Sequence, residues 1–470
     1  MLAIILFNYT FVLTLLSSST IVSCFFLSSL VKQYGFSWLL VRPFKKFVKR
    51  VYSYRFLFDA QGMIQEAYDL AQNGSFVVNA PDVHYHFVTE PHLIKEVDHA
   101  PKDVLSLQAA AKIILQPEYS MHRFDWSLER GTDGTPLVRT LRSLLRNDLP
   151  NILPKTRLAN SAIIDNLVRQ SKNQRLHLKP VVRACVARSN ARVFFGEEIA
   201  TNKEFMEAAE DFISKTMLIA ETARLLPRGL SHIAARFLES QFSSQRIVYD
   251  TLVPIAQQRI DEQELKRSGH AVPEHKDCMQ WIMQQSSRLR PWSAEVTTPW
   301  TAGRIVHELM ALWFGSVHAM GMTIIFAVRD LCIHPEYVDL LRKEFEGPSY
   351  EAWERTGYGL PLLDSFLKES ARMNPIDSVS VRRKALKPFD LSNGVHVDSG
   401  EWLATPLQAM LQDPKIWADP SSFHGLRHVD AATLEKLENA GSLSCPDPTK
   451  AALLTDTRGW QTWGTGRTAW

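Results

Sequence analysis

The sequence is poor in cysteine, and its five (Cys24, Cys185, Cys278, Cys332 and Cys445) show no C-x-x-C and no short pairing. An odd, scattered set excludes a disulfide framework and suits a reducing compartment. Glycine and proline are sparse too, at 21 and 24 in 470 residues, which excludes a collagen-like repeat or a Gly/Pro-rich disordered chain. No internal repeat, nucleophile elbow or phosphate loop occurs. Acidic residues are missing from the first 58 positions, which hold seven basic ones: Lys32, Arg42, Lys45, Lys46, Lys49, Arg50 and Arg55. The whole chain carries 53 Lys+Arg and 50 Asp+Glu, so the 412 residues after Phe58 hold 46 basic and 50 acidic groups, a net of −4. A mildly acidic body behind a basic collar excludes a dedicated nucleic-acid binder. What is present is the mix of a folded protein, 45% apolar and 22% charged.

Residues 1–31 contain no charged side chain. About 20 apolar residues cross a bilayer as a helix, so this run is long enough to span with some tilt. The basic collar follows it, which by the positive-inside rule lies in the cytosol. A cleaved signal peptide would carry its positive charge ahead of a shorter core. The expectation is a transmembrane anchor over 1–31, a basic linker over 32–58 and a single large domain over 59–470. The body would face the cytosol from an internal membrane, the endoplasmic reticulum.

Weak alternation over 75–88 predicts strands after the Asn73-Gly74 turn. From about 91 to 333 the apolar spacing is helical, as in Leu141, Leu144, Leu145 and Leu149, or Phe205, Ala208, Ala209 and Phe212. Residues 266–300 are polar and broken by Pro273, Pro291 and Pro299, and read as a surface segment. A long helix follows from Ala302 and stops before Pro335. Strands return at 378–385 and 395–404 around an Asn393-Gly394 turn, and the tail from His428 reads as loop. The fold class is mostly α with small β-sheets, an α+β domain. His84 and His86 alternate along an early strand, which explains them better than metal ligation. Gly464-Thr-Gly466-Arg-Thr-Ala469 matches a dinucleotide motif, but that motif needs a preceding strand and a following helix.

Residues 309–328 carry no formal charge and are long enough for a second span. Gly315, Ser316, His318, Gly321 and Thr323 in their middle, with Glu308 and Arg329-Asp330 at their ends, favour a helix buried in a large soluble domain. Gly315, Ala319 and Thr323 recur every four residues and form one shallow face, suited to another backbone or a flat cofactor. Further on, LLDSFLKESARM (362–373) places Glu369 and Arg372 three apart on a helix, where they can pair. After Asn374-Pro375 come Val379, Val381 and Arg383. Then follow Pro420-Ser-Ser-Phe423 with Arg427 four residues on, and Trp463-Gly464-Thr465-Gly466-Arg467.

This ordered series resembles the cytochrome P-450 family of haem-thiolate monooxygenases. It is most similar to fungal microsomal members, given LSLQAAAKIILQPEYSM (105–121) and WFGSVHAMGMT (313–323). The resemblance implies a buried structural triad of Glu369, Arg372 and Arg427. It implies a haem lying against Gly315 and Ala319, its propionates met by Arg139, Arg383 and Arg467, with Trp463 near the macrocycle edge. The family's acid and alcohol positions are His318 and Ala319 here, so proton delivery would fall to His318, Thr323, Ser316 or water. It further implies an NADPH-dependent reductase as partner and an apolar small-molecule substrate, terpenoid-like, with a role in secondary metabolism. One departure stands out. Trp470 occupies the position of the family's ligating cysteine, and an indole offers only an N–H donor. The family continues beyond that point with a helix and a β-hairpin, so the expectation is a chain shortened at the haem loop. Two readings follow: a monooxygenase, or an inactive or haem-free binding protein.

Overall fold

In a computed structural model of the protein, residues 52–71, 73–124, 140–171, 176–226, 228–286, 300–437, 443 and 461–465 are described. The expected anchor, most of the basic linker, Arg139, Arg467, Cys24, Cys445 and Trp470 lie outside them. The chain divides into two compact units, Met1–Phe87 and Val88–Trp470.

The first unit holds helix α1 (Phe56–Asp69) and strand β1 (Ser75–Asn79), followed by β2 (His84–Val88), which runs one residue past the unit's end. Tyr85 and Phe87 point inward on β2 while His84 is exposed, so the histidines follow the strand's alternation. Phe87 stacks on Phe76 at 5.0 Å and Tyr85 on Phe56 at 5.9 Å, and these rings join strand to strand and helix to strand. Arg55 holds the carboxylates of Asp59 at 2.6 Å and Glu66 at 2.7 Å.

The second unit begins with α2 (Pro91–His99), β3 (Leu105–Ser106), α3 (Leu107–Leu115) and α4 (Pro117–Ser120). A π-helical turn at Thr140–Leu145 leads into α5 (Arg146–Gln170), then α6 (Leu178–Phe195), α7 (Glu197–Thr201), α8 (Lys203–Leu225), α9 (Arg228–Gln241) and α10 (Ser244–Arg267). Next come α11 (Cys278–Ser286), α12 (Ala302–Ile333), α13 (Val338–Glu346), α14 (Pro348–Thr356) and α15 (Pro361–Met373). The short elements β4 (Ser380–Ala385), β5 (Phe389–Asp390), β6 (His396–Val397), β7 (Trp402–Thr405), α16 (Leu407–Leu411) and α17 (Ala431–Glu435) complete it. The fold is mostly helical with small sheets.

Local chemistry sets the helix ends. Asn202 caps α8 by accepting from the Phe205 amide at 3.0 Å, and Thr301 caps α12 by accepting from Arg304 at 3.2 Å. Pro335 follows the end of α12, as the sequence predicts. Phe205, Ala208, Ala209 and Phe212 are all buried on α8, and with α6, α10, α11 and α12 they build the largest core cluster. β3, β4 and β7 form an antiparallel sheet, with Leu105 opposite Ala385 and Arg383 opposite Leu403.

Two expectations need correction. Residues 266–300 are not all surface: α11 lies among them with Cys278, Met279, Ile282 and Met283 buried. Their i, i+1, i+4, i+5 spacing is one helical face, short enough to be hidden between the flanking prolines. The strand expected over 395–404 is two strands in different sheets, β6 paired with β5 and β7 with β4. Gly400, at φ 98°, makes the turn between them.

Candidate functional site

The helix α15 carries a buried charge cluster. Glu369 accepts from Arg372 Nη2 at 2.9 Å and Nε at 2.8 Å, and Arg427 Nε donates to both its oxygens at 3.1 and 3.0 Å. All three side chains are fully buried. His428 Nε2 lies 3.6 Å from the same carboxylate. Two guanidinium groups against one carboxylate leave excess positive charge, and main-chain carbonyls absorb it. Arg372 donates to Leu411, Pro420 and Ser422, and Arg427 to Ala418, Asp419 and Ser422. The chain turns through a positive φ at Asp419 (44°) to aim these oxygens inward. Burial pushes the Glu369 carboxyl up, but the bonds from Arg372, the neighbouring His428 and the two guanidinium charges outweigh it and hold it at about 2.

Gly425 fixes how closely the Arg427 segment seats. A Cβ there would stand 2.8 Å from the Tyr337 ring and 2.9 Å from the Phe366 ring. Its amide donates to the Tyr337 hydroxyl at 3.0 Å, and its carbonyl accepts from Ser365 Oγ at 2.8 Å. Gly425→Ala is therefore expected to destabilise the protein by about 1–3 kcal/mol, read as a lowered urea midpoint with an unchanged slope.

The long helix α12 has two characters. From Ala302 to Trp313 nearly every residue is buried, whereas Gly315, Ala319, Met322, Thr323 and Phe326 are half-buried and share one face, with His318 exposed at its edge. By length and composition the helix is long and apolar enough to cross a membrane. Its packing against α6, α10 and α15 makes it the centre of the second unit. Gly315, Ala319 and Thr323 do share a face. The Thr323 hydroxyl donates to the Ala319 carbonyl at 3.0 Å. Ser316 turns away from that face, donating to the Trp313 carbonyl and accepting from Asn190 of α6, both at 3.4 Å.

Arg383 on β4 is buried; burial lowers its pKa while Asp98, 3.2 Å away, opposes this. Trp463 packs beside Ala371, Leu407, Leu411 and Trp417, next to the α15 cluster. Sequence reasoning missed the carbonyl cradle and a second network, in which Asp330 accepts from Ser370 at 2.7 Å and Asn374 at 2.9 Å, tying the end of α12 to α15. Backbone acceptors leave no mark in residue identity. The Asp330–Asn374 bond joins positions 44 apart and had no motif to announce it.

The family model described as Cytochrome P450 matches residues 133–441. The chain belongs to the cytochrome P450 family. Among its relatives, Cytochrome P450 monooxygenase 151 of Postia placenta is 26% identical over 392 residues, covering 82% of this chain and 75% of the relative. Cytochrome P450 monooxygenase ptmQ of Penicillium ochrochloron is 25% identical, covering 78% and 71%. Cytochrome P450 monooxygenase hepE of Aspergillus oryzae is 27% identical, covering 80% and 67%. The fold is similar to a zebra fish cytochrome P450 solved with abiraterone, with a TM-score of 0.58 at 15% identity over 87% of this chain and 86% of the other. It is also similar to the retinoic acid-bound cyanobacterial CYP120A1, with a TM-score of 0.57 at 14% identity over 86% and 84%.

Haem is the cofactor expected of this family. The half-buried small-residue face of α12 suits a flat macrocycle, whereas the buried Arg383 guanidinium already meets Asp98 at 3.2 Å. The iron ligand is a different matter. Among the described residues the thiols are Cys185, Cys278 and Cys332, on α6, α11 and the last turn of α12. Burial pushes the Cys185 and Cys278 thiols up, opposite to what a thiolate ligand requires. The residues described thus fit the macrocycle and do not supply the thiolate.

Proposed function

We propose that this fold serves haem-dependent monooxygenation, the insertion of one oxygen atom of dioxygen into an apolar small molecule, with electrons from an NADPH-dependent reductase. The observation that carries the reading is the half-buried apolar face of α12, a helix whose end is tied through Asp330 to α15 and its fully buried charge cluster. Haem, when bound, supplies the dioxygen chemistry. The chain's own residues hold and shape: Gly315 and Ala319 admit a flat group, Met322 and Phe326 present apolar contact, and Arg139 and Arg467 offer cations to propionates. His318 carries a titratable imidazole at the rim, and Thr323 a hydroxyl on the same face. The fungal relatives support a place in secondary metabolism. The uncharged run over 1–31 and its basic collar support a single-pass anchor in the endoplasmic reticulum membrane with the body facing the cytosol.

A second reading rests on one observation: position 470 offers an indole, and no described thiol is placed as a ligand. On that reading the 470 residues bind an apolar molecule without oxidising it. The two separate in a reduced carbon-monoxide difference spectrum of the expressed 470-residue chain supplied with haem. Tryptophan at 470 predicts a folded protein without the thiolate-type Soret band for these 470 residues, a result that would favour the second reading for this chain. A thiolate-type band, with reductase-dependent transfer of labelled oxygen into product, would exclude the haem-free reading.

A further inference from the structure

We propose that the cleft between the C-terminal half of α10 and α11 binds a small hydroxylated organic phosphate, at a place separate from the small-residue face of α12. The cleft holds about 310 Å³, at the lower end of the range for small-molecule sites. One face of α10 lines it: Arg259, Glu262, Gln263, Lys266 and Arg267 fall at i, i+3, i+4, i+7 and i+8. Gln280 and Gln284, one turn apart on α11, line it from the second helix, and residues 272–275 of the intervening segment complete it. Other faces of the same helices are apolar and packed, with Leu252 and Ala256 on α10 and Ile282 and Met283 on α11 in the largest core cluster. The two helices therefore turn polar faces toward one cleft, where polar groups need polar partners.

The charges in this cleft are sorted. Arg259 is 7% exposed, and its Nη1 donates to both oxygens of buried Asp277 at 2.6 and 2.7 Å. Asp277 also accepts from the Gln280 amide at 2.9 Å. Glu262 accepts from Gln258 Nε2 at 2.8 Å and meets His275 Nε2 at 2.9 Å. These carboxylates are occupied, so they repel an incoming anion less. Lys266 and Arg267 are exposed and have no ion-pair partner among the described residues, and Glu274 is the one lining carboxylate in the same condition. Two free cations thus face one free anion, which selects a ligand of negative charge. Neighbouring ammonium and guanidinium groups suit the several oxygens of a phosphate. The second requirement comes from Gln280, whose Oε1 is buried without a hydrogen-bond donor. That oxygen needs a hydroxyl or amino group, which sulfate does not carry and a sugar phosphate or nucleotide does. A ligand that meets both ends bridges α10 to α11, and by binding only the folded chain it raises stability.

The test titrates the full 470-residue chain in a neutral detergent with glucose 6-phosphate, AMP, glucose and sulfate, read by calorimetry and by the thermal midpoint. Glucose 6-phosphate or AMP is expected to bind with a dissociation constant of about 0.1–1 mM and to raise the midpoint. Glucose and sulfate should bind at least about tenfold more weakly, and the tighter of the two phosphates names sugar phosphate or nucleotide as the source. Lys266→Gln with Arg267→Gln should weaken phosphate binding about tenfold and flatten its salt dependence. Gln280→Leu should also weaken it about tenfold and leave sulfate unchanged. Glu274→Gln should tighten it about threefold. Lys266, Arg267 and Glu274 are exposed, so folding is not at stake there, and the midpoint without ligand checks it for Gln280→Leu. No saturable binding of either phosphate, sulfate binding as tight as theirs, or binding indifferent to the Lys266 and Arg267 pair or to Gln280→Leu overturns the proposal. Weaker binding in Glu274→Gln overturns it too, since that marks a cationic ligand.

Discussion

Glu369→Ala is expected to cost the protein about 3–5 kcal/mol of folding stability, the penalty of leaving buried partner charges uncompensated. Domains are stable by only about 5–15 kcal/mol in total, so the variant should be largely unfolded in mild urea or fail to accumulate. Arg372 and Arg427 would keep their carbonyl acceptors, but those oxygens are partial charges and cannot replace a carboxylate both groups share. Glu369→Gln separates shape from charge. It keeps one acceptor oxygen and the packing, and should be destabilised less than the alanine variant but clearly more than a surface change. The pH dependence follows from the carboxyl being held at about 2 against an ordinary 4.5. A folded-state pKa depressed in this way gives stability that is fully present above the unfolded value. It fades as pH falls from about 4.5 through about 2, and amounts to about 3 kcal/mol when complete. Urea midpoints of the wild type and Glu369→Gln should therefore converge over that acid range. An alanine variant within 1 kcal/mol of wild type at neutral pH would show that the cluster is not an energetic keystone.

The sequence was informative where a short-range pattern carried the physics. Helical spacing placed Phe205, Ala208, Ala209 and Phe212 on one buried face, and the stop before Pro335 set the end of α12. The Glu369–Arg372 pair follows from i, i+3 geometry alone, and the four-residue recurrence of Gly315, Ala319 and Thr323 predicted a shared face. Long-range placement was less legible. Ser316 sits in the same motif as Gly315 yet faces Asn190, because a step of one residue rotates a helical side chain by about 100°. The strand over 395–404 is divided by the polar turn Asp398-Ser399-Gly400-Glu401, in which the Glu401 amide donates to the Asp398 carbonyl and Gly400 takes a positive φ. α11 was hidden because polar neighbours on both sides diluted its five buried apolar residues, Cys278, Met279, Trp281, Ile282 and Met283.

Trp313→Ala carries the second large expectation, about 3–5 kcal/mol. Trp313 is 1% exposed, lies 5.4 Å from the Phe195 ring, and donates from its indole nitrogen to the Ala209 carbonyl of α8 at 2.7 Å. Truncation opens a cavity between α6, α8 and α12 and also strands a buried acceptor, so the two costs add. Trp313→Phe keeps most of the apolar filling and loses the bond, and should cost about 1–2 kcal/mol. Met322→Ala supplies the contrast, since it lies on the same helix but on the half-buried face, where truncation leaves no closed cavity. Its cost should stay under about 1 kcal/mol. The comparison tests the division of labour along α12 directly in urea unfolding. If the face carrying Trp313 holds the helix in place, the face carrying Gly315, Ala319, Met322 and Phe326 is free to be shaped for a ligand. Equal costs at Trp313 and Met322 would mean that both faces are packing faces, and the half-buried one would lose its standing as a binding surface.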